Sequence, residues 1–125
     1  SLPDEAAARC HLLGSSLAAW DVKALCADLD FLFTGRMHVA IAALGGGTPS
    51  AAAAYQGKFE GLYQHFGLDA QPLCLSPARM SEKGALRPVL DMLAAEAPEL
   101  RNRVTTALPQ IRALTSRNLA FVPRQ

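Results

Sequence analysis

Cys10, Cys26 and Cys74, with His11, His38 and His65, are the residues of this chain best suited to chemistry. A cysteine nucleophile needs a base beside it. The one sequence-adjacent pair, Cys10 and His11, would diverge by about 100° on a helix. Pairing of Cys26 or Cys74 with His38 or His65 is left open by spacing, which makes a cysteine-dependent enzyme the least favoured of three functional classes. Ser15 and Ser16 lie in GSS rather than in the GxSxG of a nucleophile elbow. The histidines show no HExxH, His-x3-His or EF-hand spacing, and Glu60 and His65 are five apart where a helical di-metal site uses Glu-x-x-His. Asp28 and Asp30, two apart, would point to diverging helix faces. Gly45-Gly46-Gly47 supplies the glycines of a phosphate loop, but the Lys-Ser/Thr is missing and GGGTPS does not match GxGxxG. It is expected to be a hinge. No metal, cofactor or catalytic set is therefore expected, and the chain reads as non-enzymatic.

What remains is recognition. Arg101, Arg103, Arg112 and Arg117 recur along the C-terminal segment, while Tyr55 and Tyr63 neighbour a proline-containing stretch at 68–80. The surface expected to meet another protein centres either on these arginines or on the 68–80 stretch beside the two tyrosines. The chain thus reads first as an α-helical protein-interaction module of the adaptor, chaperone or inhibitor type. The alternative is a helical small-molecule-binding domain, with an apolar pocket lined by Trp20, Phe31, Phe33, Met37 and Phe59 and with His38 as a polar handle. Arginines can also contact phosphates, yet a net charge of +1 and the lack of a helix-turn-helix signature weigh against nucleic acid. Self-association is left open.

The totals bound the fold. A chain of 125 residues is expected to form one domain, 1–125, large enough for a core without metal or disulfide staples. Half the residues are hydrophobic but only 6% are aromatic, so the interior must be mostly Ala and Leu, a mix that favours close-packed helices. Residues 1–75 carry three more acidic than basic side chains, and 76–125 carry four more basic than acidic, so the halves are expected to pair. Three cysteines without CxxC spacing argue against a disulfide framework and favour a reducing, cytoplasmic setting. The chain opens SLPDEAAARC without Met, so a removed signal peptide would be invisible. No apolar run nears the roughly 18 residues of a membrane span, and a soluble chain is expected.

The elements that must position these groups follow from periodicity. Residues 4–33 read as helical, with a break near Gly14 or at Asp21, a natural N-cap. Residues 36–44 read as a short buried helix. Thr48 to Gly67 is the anchor. Thr48 suits an N-cap and Pro49 the first helical position, Ala51 to Ala54 are strong helix formers, and Tyr55, Phe59, Leu62 and Phe66 form one stripe ending at a glycine. Residues 68–80 read as the longest loop. A helix from Leu86 ends at Ala97-Pro98, and a last helix at 98–117 kinks at Pro109. Asn118 can cap it, and Phe121 and Val122 are expected to fold back onto the core. The expected architecture is an all-α bundle of five or six helices.

Overall fold

In the computed structural model, which describes residues 3–55 and 57–119 (Asn118 and Leu119 by backbone alone), the alanine run Ser50–Ala53 is a β-strand. In chain order the elements are α1 (Asp4–Ala7), α2 (Ala19–Asp28), β1 (Leu32–Thr34), α3 (Met37–Gly45), β2 (Ser50–Ala53) and α4 (Lys58–His65). Then come α5 (Ala70–Leu73), β3 (Cys74–Leu75), α6 (Pro77–Met80) and α7 (Leu86–Leu119). The strands form a parallel sheet in the order β1-β2-β3, with Phe33 opposite Ala51 and Ala52 opposite both Thr34 and Cys74. The architecture is mixed α/β. That corrects the expected all-α helical bundle.

The reason lies in where β2 sits. Ser50, Ala51 and Ala52 are fully buried, so both faces of the strand are covered. A parallel strand buried on both faces carries no polar alternation, and a short apolar run cannot be told from a helix by period. Helix propensity is worth only tenths of a kcal/mol per residue for ordinary residues. Pairing on both edges and close cover by α3, α5 and α7 outweigh it. Only small side chains fit there.

Thr48 illustrates the same override. Instead of capping a helix, its buried hydroxyl donates toward the carbonyls of Ala27 and Leu29, at 3.3 and 3.4 Å, tying the end of α2 to the start of β2. The glycine triplet is likewise no hinge. Gly47 has φ +90°, and the amides of Thr48 and Gly47 donate to the carbonyls of Ala43 and Leu44 at 2.8 and 3.0 Å. That is a Schellman cap, which needs a left-handed residue at the turn. Gly67, at φ +66°, closes α4 in the same way, as its sequence position foretold.

Other expectations divide. The short buried helix is α3. The break within 4–33 is real, with α1 and α2 separated, although Asp21 sits inside α2 and its carboxylate accepts from the Ala18 amide at 3.0 Å. Leu32 to Thr34, expected in a helix, is β1. The stretch 68–80 is no irregular loop and holds α5, β3 and α6. Leu86 to Leu119 is one helix running through Pro98 and Pro109. Val89, Leu93, Leu100 and Val104 keep one face of it in the core, with Leu108 and Ile111 packed at the margin. That shared burial preserves the helix although each proline removes a backbone bond. The cap at Asn118 and the folded-back tail at Phe121 and Val122 lie outside the described residues. No described helix is long and apolar enough to cross a membrane.

Candidate functional site

Because the three strands run parallel, their carboxyl ends share one edge. The edge opens beside β2 and β3 into a cavity of about 500 Å3. Ala54 leaves β2 there, its amide donating to the Leu75 carbonyl at 2.7 Å, and Ser76 leaves β3. Glu60 enters from the first turn of α4, Gln71 and Pro72 from α5, and Arg79 from α6. Ala85, just before α7, and Pro88, Val89 and Met92 from its first turns close the wall. The walls therefore mix hydrocarbon and polar surface in comparable measure, the polar share coming from Glu60, Gln71, Ser76 and Arg79.

Local chemistry sets each polar group. Ser76 caps α6, its hydroxyl accepting from the Arg79 amide at 3.3 Å, with Pro77 suited to the first helical position. The Arg79 guanidinium turns outward and donates to Glu82 at 2.8 Å, an exposed pair. Glu60 differs: its Oε2 is buried and has no hydrogen-bond partner among the described residues. Cys74 is buried in β3, and burial first, then the charge of Glu60, pushes its thiol up to about 11. At neutral pH that thiol stays protonated, so Cys74 is not an activated nucleophile. Burial also raises Cys26, and Cys10 is exposed. His11, His38 and His65 are all exposed, and among the described residues no group of three potential ligands could hold a metal ion.

The arginines separate into two kinds. Arg101 reaches back across the fold and donates to the carbonyls of Leu29 at 2.6 Å, Gly47 at 3.3 Å and Asp30 at 3.4 Å. Arg103 lies 3.6 Å from both Asp69 and Glu99, the former an ion pair between the acidic and basic parts of the sequence. Arg112 and Arg117 project from the exposed end of α7. Tyr55 is 64% exposed, whereas Tyr63 is fully buried with its hydroxyl 2.9 Å from that of Ser50. Of the residues expected to meet a protein partner, Arg112, Arg117 and Tyr55 thus stand at the surface, whereas Tyr63 lies in the core and Arg101 is engaged with backbone carbonyls.

The expected apolar pocket is dispersed too. Trp20 is 75% exposed on α2 and His38 is exposed on α3, while Phe31, Phe33 and Met37 are partly buried against the core. Phe59 is in the core, its ring centroid 6.5 Å from that of Tyr63. None of these lines the cavity. Its own residues escaped the sequence because the signal for them is topological. Only once 50–53 and 74–75 are strands do their carboxyl ends come to lie side by side; the order β1-β2-β3 has no switch point of the kind at which open α/β sheets usually bind ligands. Comparison with protein-family models, with curated proteins and with solved structures gives no match.

Proposed function

We propose that this α/β chain binds a small organic molecule in the cavity beside the carboxyl ends of β2 and β3. One observation carries this: a space of about 500 Å3, within the usual range for ligand sites, lies at the carboxyl ends of β2 and β3 with Glu60 Oε2 buried on its border. The function is one of binding, with no reaction assigned. Methyl NMR of the full chain tests it. Fragments that bind should shift the Met92 methyl and the methyls of Ala54 and Leu75. A fragment library that perturbs only distant methyls would count against the site.

A second reading, docking of a protein partner, is supported by one feature. Leu12, Leu13, Leu17 and Trp20 are 101, 56, 42 and 75% exposed, an unusual concentration of bare apolar side chains before and at the start of α2. Of the four arginines, Arg103 is held by Asp69 and Glu99 and Arg101 by backbone carbonyls, which leaves the exposed side chains of Arg112 and Arg117 without a partner among the described residues. A partner on the apolar segment should blue-shift Trp20 emission and protect it from iodide. Unchanged emission on complex formation would locate the partner elsewhere, and reversal of Arg112 and Arg117 to Glu would then test α7.

A further inference from the structure

Resting on the small-molecule reading above, we infer that the ligand carries a cationic nitrogen, an ammonium or amidinium, received by the Glu60 carboxylate, on a compact apolar body held by Pro72, Val89 and Met92. Glu60 Oε2 is buried, borders the cavity and lacks a hydrogen-bond donor among the described residues. Glu60 is half-buried as a residue, but a shielded acceptor atom left alone is costly, and native structures keep few of them. The cavity's own cation does not serve it, because Arg79 donates outward to Glu82. A metal ion is a poor fit, since the described residues assemble no set of three ligands. A charged N–H donor fits better than an alcohol, because charge-assisted hydrogen bonds are roughly twice as strong as neutral ones. The part of the wall formed by Pro72, Val89 and Met92 is hydrocarbon and suits a compact apolar body, while Gln71 and Ser76 keep the rest polar.

The experiment compares benzylamine and benzamidine with benzyl alcohol and benzoate, using the full chain and its Glu60→Gln variant. Dissociation constants are read from the Met92 methyl shift, alongside the melting temperature of each unliganded protein. Amine and amidine should bind at least tenfold more tightly than the alcohol, and benzoate should not bind. In Glu60→Gln the amine should lose at least tenfold in affinity while the alcohol is unaffected. The variant should melt no lower than the parent, which separates a lost acceptor from a failed fold. Equal binding of amine and alcohol, or amine affinity unchanged in Glu60→Gln, would overturn the ligand class. If other fragments shift Met92 but amines do not, the class fails and the cavity stands. If no fragment shifts Met92, the small-molecule reading itself fails.

Discussion

The hydroxyls of Ser50 and Tyr63 lie 2.9 Å apart, and neither residue exposes any surface. The pair locks α4 to the central strand from inside the core. Each hydroxyl is the other's only hydrogen-bonding partner among the described side chains. Tyr63→Phe should therefore strand the Ser50 hydroxyl and cost about 1–2 kcal/mol. Ser50→Ala with Tyr63→Phe should cost less than the two single changes added together, because the double variant leaves no orphan. Urea unfolding of the four proteins checks this, and strict additivity would show that the bond contributes nothing of its own.

Arg101 joins α7 to the end of α2 and to the glycine turn through three carbonyls. Arg101→Ala should cost about 1.5–3 kcal/mol, the range for hydrogen bonds to a charged group. Arg101→Lys should rescue only part of this, since an ammonium cannot span the same fork. Arg112→Glu with Arg117→Glu should stay within about 0.5 kcal/mol of the parent, being exposed. Thermal or urea denaturation distinguishes the two sets.

A methyl group added at Gly46 would lie 2.9 Å from the Ala27 Cβ and 3.2 Å from its Cα. The close approach of α2 and α3 leaves no room for it. Gly46→Ala should destabilise by about 1–3 kcal/mol, as overpacking does. Adding Ala27→Gly should recover part of that loss by vacating the nearer atom. A double variant no better than Gly46→Ala alone would locate the strain elsewhere.

Alkaline pH should unfold the protein through Cys74. Its thiol is raised from the ordinary 9.0 to about 11, so between these values the unfolded chain releases a proton that the native state retains. Unfolding then becomes easier as pH rises. The stabilisation is intact below pH 9.0 and fades up to about 11, with a limiting slope near 1.4 kcal/mol per unit. Tyr63, also raised by burial, adds in the same direction above its ordinary 10.0. Cys26, raised by burial as well, acts in the same direction, so Cys74→Ala should lessen the slope between pH 9 and 10 without abolishing it, measured by urea midpoints. Glu60→Gln should lower the thiol value, read from the pH dependence of Cys74 alkylation.

Sequence period was sufficient where a helix has one buried face. Phe59 on α4 and Phe66 at its end were legible as core, as were α3 and the capping role of Gly67, whereas Tyr55 of the same stripe is exposed and Tyr63, expected at a partner surface, is buried. It failed at Ala51-Ala52, because a strand sealed on both sides displays no alternation and its small residues are also good helix formers. It failed again at Pro98, where tertiary packing carries the helix past a residue that usually stops one. The cavity was invisible for a further reason. Glu60, Cys74 and Arg79 share no motif, and only the crossover from β2 to β3 brings them to one place.

Every neighbouring pair of strands in this sheet is parallel, so none can zip up from a tight turn. Joining β1 to β2 first requires the chain to loop through α3, and joining β2 to β3 requires the passage through α4 and α5. Such loops cost entropy before any ladder bond repays it. During refolding, ellipticity from α7 should consequently grow in before Tyr63 becomes shielded, and the rate-limiting barrier should lie in closing those two crossovers.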